Sequence, residues 1–172
     1  KTHSYKDKPL YYDENKGRYA KFHDKIIHII VDDAPDITRG IKNPDRWIVE
    51  KFQRNCIERG LAECKDDDIV LVSDADEIPR PVDIPRMAGI LDNHPNLKAI
   101  TFQQRMFYYF LNGICVHDDG SDGAFPWDGT TGCYYRDFPG ADSLRMSRQS
   151  IKCGVITDSG WHFSYLGGAD KI

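Results

Sequence analysis

The chain has 172 residues, enough for one domain with a sizeable core. Its net charge is −4 with no basic run, which argues against a nucleic-acid partner, and no apolar stretch approaches the length of a membrane span. Five cysteines without a Cys-x-x-Cys pair disfavour a zinc site and a closed disulfide framework, leaving reduced, partly buried thiols.

Taken in order, residues 1–24 are polar and spotted with aromatics, and Tyr11 to Phe22 is predicted as one helix with Tyr12, Tyr19 and Phe22 on one side. The β-branched run from Lys25 to Val31 predicts a strand that ends in Asp32 and Asp33. Asn43-Pro44-Asp45 is a helix start signal, and the helix is predicted from Arg46 to Arg59, with Ile48, Phe52 and Cys56 as its buried stripe and Gly60 as its cap. A second strand, Ile69 to Val72, runs straight into Ser73-Asp74-Ala75-Asp76-Glu77 and is stopped by Ile78-Pro79-Arg80-Pro81. Strand, helix, strand predicts a right-handed crossover between parallel neighbours. A helix follows from Val82 to Leu91, then a strand from Leu97 to Phe102, and the aromatic run Met106 to Leu111 is read as a fourth. Asn112 to Gly132 reads as a loose loop; its Asp118-Asp119-Gly120-Ser121-Asp122-Gly123 segment lacks the full calcium-loop pattern. Gly140 to Gln149 predicts a short helix and Gly154 to Thr157 a last strand. The tail Asp158-Ser159-Gly160-Trp161-His162-Phe163-Ser164 packs Asp, Trp and His together beside glycine.

Acids at the carboxyl end of a buried strand point at the ligand crevice of an open α/β sheet. Asp74 and Asp76, two apart, suit a hard divalent cation held against a phosphate; the bland alternative is a strand-end turn, as read for Asp66 and Asp68. Trp127 beside Asp128 suits stacking on a sugar ring. Glu50 and Arg54 stand four apart, so Arg54 is either a helix-surface ion-pair partner or a cation near a diphosphate.

The run Trp47…Glu50…Gln53-Arg54…Gly60-Leu61, with Asp67-Asp68-Ile69…Ser73-Asp74-Ala75-Asp76-Glu77-Ile78-Pro79-Arg80, Tyr108-Tyr109…Leu111-Asn112 and Asp158-Ser159-Gly160-Trp161-His162-Phe163-Ser164, resembles glycosyltransferase family 17. The resemblance implies a GT-A-like, Rossmann-like α/β fold over residues 1–172, a single domain with a mostly parallel central sheet flanked by helices. It also implies an inverting enzyme that moves N-acetylglucosamine from UDP-GlcNAc to a glycan hydroxyl with Mn²⁺ or Mg²⁺. The chain begins at Lys1 rather than Met and ends at Ile172 with no obvious stop, so both ends are read as cut from something longer, and the family pattern begins with a strand that would lie upstream of Lys1. In this reading Asp76 ligates the metal, Asp74 holds the ribose or a metal-bound water, and His162 is the third ligand. Asp158 is the base, with Glu77 and Asp128 as alternatives; Arg54 contacts the diphosphate; Trp127 and Trp161 are platforms for sugar rings. The bland readings are a turn-capping Asp158, an inert His162 among aromatics, and tryptophans packed in the core. Two other functions compete. One is a catalytically inactive sugar- or nucleotide-binding module. The other is an aspartate-nucleophile phosphohydrolase, which wants a Gly-Thr or Gly-Val step where Glu77-Ile78-Pro79 stands.

Overall fold

The computed structural model describes residues 9–35, 47–117, 123–150 and 152–167. Two compact units divide the chain, Lys1–Glu63 and Cys64–Ile172.

In the first unit, the helix expected from Tyr11 to Phe22 is a short α1 (Tyr11–Glu14) followed by 3₁₀ turns over Lys16–Lys25. The Asn15 side chain donates through Nδ2 back to the Tyr11 carbonyl at 2.8 Å where α1 stops. Tyr12 and Tyr19 do pack, with ring centroids 5.7 Å apart. The Lys25–Val31 run forms no strand: residues 26–35 belong to no regular element, and Ile27 is 68% exposed. β-branched residues favour an extended backbone, but a strand exists only where a second one takes its hydrogen bonds. α2 (Trp47–Asn55) continues as 3₁₀ turns to Gly60, and it buries Val49 and Cys56 while Ile48 stays exposed. The start signal at residues 43–45 lies outside the described residues.

The second unit carries the sheet. Its elements are β1 (Ile69–Val72), β2 (Glu77–Pro79), α3 (Asp83–Asn93), β3 (Ala99–Tyr108), β4 (Pro126–Tyr134), α4 (Ala141–Met146), β5 (Cys153–Ile156) and β6 (Gly160–Ser164). The strand order is β1-β4-β3-β6-β2, with β5 also pairing β3. This corrects the expected GT-A-like sheet, mostly parallel and flanked by helices. Three pairings are antiparallel (β1–β4, β3–β4, β2–β6) and two are parallel, both on one edge of β3. Two misreadings hid the topology. Leu97–Phe102 and Met106–Leu111 are largely one strand, the ten-residue β3. The supposed loop, Asn112 to Gly132, holds most of β4, whose Pro-Trp-Asp-Gly-Thr-Thr-Gly-Cys-Tyr sequence shows no apolar alternation. The predicted crossover therefore fails, because β1 finds its partner in β4 rather than in a preceding parallel strand.

The core is built from Met87 and Leu91 of α3 against Ile100, Phe102, Tyr134 and Ile156 of the sheet. The helix comes this close because Gly132 has no side chain; a Cβ there would collide with Leu71 and Met87. All five cysteines are free, and burial pushes the Cys133 thiol up to about 12.

Candidate active site

The site grows from the break between β1 and β2. Val70 and Val72 are buried and fix β1, and the chain then turns through residues 74–77, closed by the Glu77 N–H donating to the Asp74 carbonyl at 3.0 Å. That turn brings Glu77 to the start of β2, directly opposite His162 of β6. The side chain of Glu77 is fully enclosed. Arg145 of α4 donates through Nη1 to Oε2 at 2.6 Å and through Nη2 to Oε1 at 2.5 Å. Trp127 Nε1 donates to Oε1 at 2.7 Å, and the Asp74 amide to Oε2 at 3.1 Å. Burial pushes the Glu77 carboxyl upward, but the Arg145 bonds, helped by Trp127, outweigh it and hold the group below the ordinary glutamate range. Arg145 also reaches the Gly129 carbonyl at 2.8 Å and Asp74 Oδ2 at 2.8 Å. One cation therefore ties α4, β4 and both ends of the acidic turn together.

Two carboxylates of the turn face outward, with Asp74 48% and Asp76 44% exposed. Asp76 Oδ2 stands 3.6 Å from His162 Nε2, and Glu77 Oε1 stands 3.7 Å from Nδ1. Nε2 shares a 2.7 Å hydrogen bond with Ser164 Oγ, whereas Nδ1 is buried without a hydrogen-bond partner. Each ring nitrogen therefore faces a carboxylate, Nδ1 the buried Glu77 and Nε2 the exposed Asp76, with Ser164 holding the ring from the Nε2 side. Trp127 meets this ring edge-on, centroids 4.7 Å apart, and Arg148 lies 5.8 Å over the indole while donating to the Asp128 carbonyl at 2.7 Å. Burial, then the neighbouring Arg145, lowers the Arg148 pKa.

Asp158 and Trp161 come to the other face of the sheet. Side chains alternate along β3, and Arg105 pairs with Trp161 while the next residue, Met106, pairs with His162. Arg105 donates to Asp158 through Nε at 2.6 Å and Nη2 at 3.0 Å, and Arg80 Nε takes the Asp158 carbonyl at 2.7 Å. The Arg105 hydrogen bonds hold the Asp158 carboxyl below the usual carboxylate range. Its backbone is left-handed, φ 52°. Arg80 stacks over Trp161 at 4.5 Å.

The profile of glycosyltransferase family 17 matches residues 1–167. The chain belongs to glycosyltransferase family 17. No curated protein and no solved structure matches it. This family 17 chain is thus an enzyme, a glycosyltransferase acting between a sugar donor and an acceptor. No helix among its described residues is long and apolar enough to cross a membrane.

Of the residues singled out for this glycosyltransferase, Asp74, Asp76, Glu77, Trp127 and His162 come together. Asp158 and Trp161 form a separate group, and Asp128 accepts from Gln103 Nε2 at 3.1 Å. Arg54 lies in the first unit and donates to Glu50 at 2.7 Å. The sequence reading missed Arg145, which is 71 residues from Asp74. The one available signal was its spacing, since Ala141, Leu144 and Arg145 form a single buried helical face.

Proposed function

We propose that this glycosyltransferase uses a nucleotide-sugar donor and inverts the anomeric centre, with a divalent cation held by Asp76 and His162 at the donor diphosphate. One observation carries the reading. An exposed carboxylate and an imidazole Nε2 stand 3.6 Å apart over a buried carboxylate that faces the other ring nitrogen. A ligating histidine commonly presents its second nitrogen to such a carboxylate. Among the described residues no three His, Cys, Asp or Glu side chains gather into a metal-holding group. The residues present fit a cation bound by two protein ligands, with donor phosphates and water completing its shell. When bound, the cation supplies neutralisation of the charge that develops on the departing diphosphate.

The chain's own residues do the rest. Glu77 has both oxygens committed, so it positions His162 and Asp74 rather than accepting a proton. Arg145 holds Asp74 through one oxygen and orients it toward the ribose or a cation-bound water. Trp127 closes the apolar side of His162 and excludes water from it. A UDP-sugar, UDP-N-acetylglucosamine first, is the proposed donor, and a glycan hydroxyl the acceptor.

Calorimetric titration of UDP tests this. Binding is expected to need Mn²⁺, to vanish with EDTA, and to be lost in Asp76→Ala and His162→Ala. Nucleotide binding that ignores EDTA and both substitutions would overturn the cation reading and shift the diphosphate charge to Arg148.

A further inference from the structure

A second concave site lies on the sheet face that carries Arg105, opposite Glu77 and His162. It is a cleft of about 400 Å³ whose walls include Gln103, Arg105, Phe125, Pro126, Ile114 and Asp158. That volume falls within the range of small-molecule sites. Its polar wall is built rather than incidental. Arg105 spends Nε and Nη2 on Asp158, while Arg80 clamps the Asp158 main chain and is itself seated on Trp161. Asp158 takes a left-handed backbone to make these contacts. An ion pair this exposed contributes little to folding, so stability alone gives small return for that conformation. The apolar wall is equally definite. Phe125 is 41% exposed yet fixed against His117, with ring centroids 5.5 Å apart.

We propose that this cleft anchors one uncharged pyranose ring of the acceptor glycan, remote from the hydroxyl that reacts. Arg105 and Asp158, the charged groups of the cleft wall, cancel one another, and Arg80 behind them is spent on Asp158 and the Trp161 ring, so among the described residues no free guanidinium faces the cleft to attract a diphosphate. Sugar hydroxyls donate and accept alike, and they match a wall of guanidinium, carboxylate and amide set side by side. The C–H face of a pyranose matches Phe125, Ile114 and Pro126 across the cleft. The inference rests on the family assignment and is independent of the cation at Asp76.

The test is an amide-shift titration of the ¹⁵N-labelled full chain with chitobiose, mannobiose and lactose. At least one disaccharide is expected to shift Gln103, Arg105 and Phe125. Its affinity should fall about tenfold or more in Phe125→Ala and in Asp158→Asn, a loss equivalent to one hydrogen-bonded or stacked contact. Thermal denaturation of Phe125→Ala checks that the fold is intact. In Asp76→Ala the saccharide should bind as before, which separates this site from the donor reading. The proposal is overturned if none of the three disaccharides shifts those amides. It is also overturned if the shifts centre on residues 74–77 and vanish in Asp76→Ala.

Discussion

Two guanidinium–carboxylate pairs occupy opposite faces of one sheet, and they differ chiefly in water. Arg145 and Glu77 are sealed from solvent, with side chains 5% and 0% exposed; Arg105 and Asp158 are about half exposed, at 47% and 53%. Both pairs are bidentate. In the buried pair, desolvation offsets most of the attraction, so the pair adds little net stability while making each partner indispensable to the other. In the exposed pair, water already solvates both groups, and either can be lost cheaply. The same hydrogen bonds thus make a structural keystone on one face and a ligand-facing surface on the other.

Removing one member from each pair should break that symmetry most visibly. Arg145→Met leaves Glu77 buried and uncompensated, and urea unfolding should register a loss of about 3–5 kcal/mol. The double substitution Arg145→Met with Glu77→Leu should recover much of it, because no orphaned charge remains. Next in size is a functional effect with little change in stability. On the proposed cation role, Asp76→Ala should lower kcat by about 100-fold or more while the denaturation midpoint stays within error, since a Lewis-acid contribution of several kcal/mol would be removed from an exposed position.

Both carboxylates are held low, so both pairs weaken in acid, the exposed one less because water screens it. Glu77 is held below its unfolded pKa, so its contribution is complete above roughly pH 4.5 and is lost as pH falls through the lower folded value. Acid unfolding of the wild type should steepen below that point, and Glu77→Gln should flatten the dependence. Smallest of all, Asp158→Gly should change stability by under about 1 kcal/mol in either direction. The lost surface pair and the relieved left-handed backbone nearly offset each other. A loss of 3 kcal/mol or more there would show that the two faces are energetically alike after all.

What was legible in the sequence was local. Ile69–Val72 running into acids, the helix at Asp83–Asn93 and the short strand at Cys153–Ile156 each announce themselves within a few residues, whereas the Gly160–Ser164 strand hides in what reads as a glycine-flanked tail. Pairing partners do not. A β-branched run reads the same whether it finds a neighbour, as Ile69–Val72 does in β4, or finds none, as with residues 26–31. The expected crossover rests on two such runs and fails with the first of them, while the mostly parallel sheet came with the family resemblance. The strand β4 was invisible because its buried run, Gly129 to Tyr134, is continuous and small or polar until Cys133 and Tyr134, so it carries no alternating apolar signature. The site follows the same rule. Asp74, Asp76 and Glu77 are contiguous and were readable as a group, but their organiser Arg145 lies on a helix far along the chain, where only the folded register brings it back.

The edge-on contact between Trp127 and His162 gives the protein a built-in optical reporter. Indole emission responds to the charge of a ring held against it, and the chain has three tryptophans. Trp47 is 62% exposed, and Trp161 already lies beneath the permanent cation of Arg80. The proposed cation at His162 would therefore be reported mainly by the fluorescence of Trp127. In a Trp47→Phe background, its binding would be followed in real time without a label or a coupled assay.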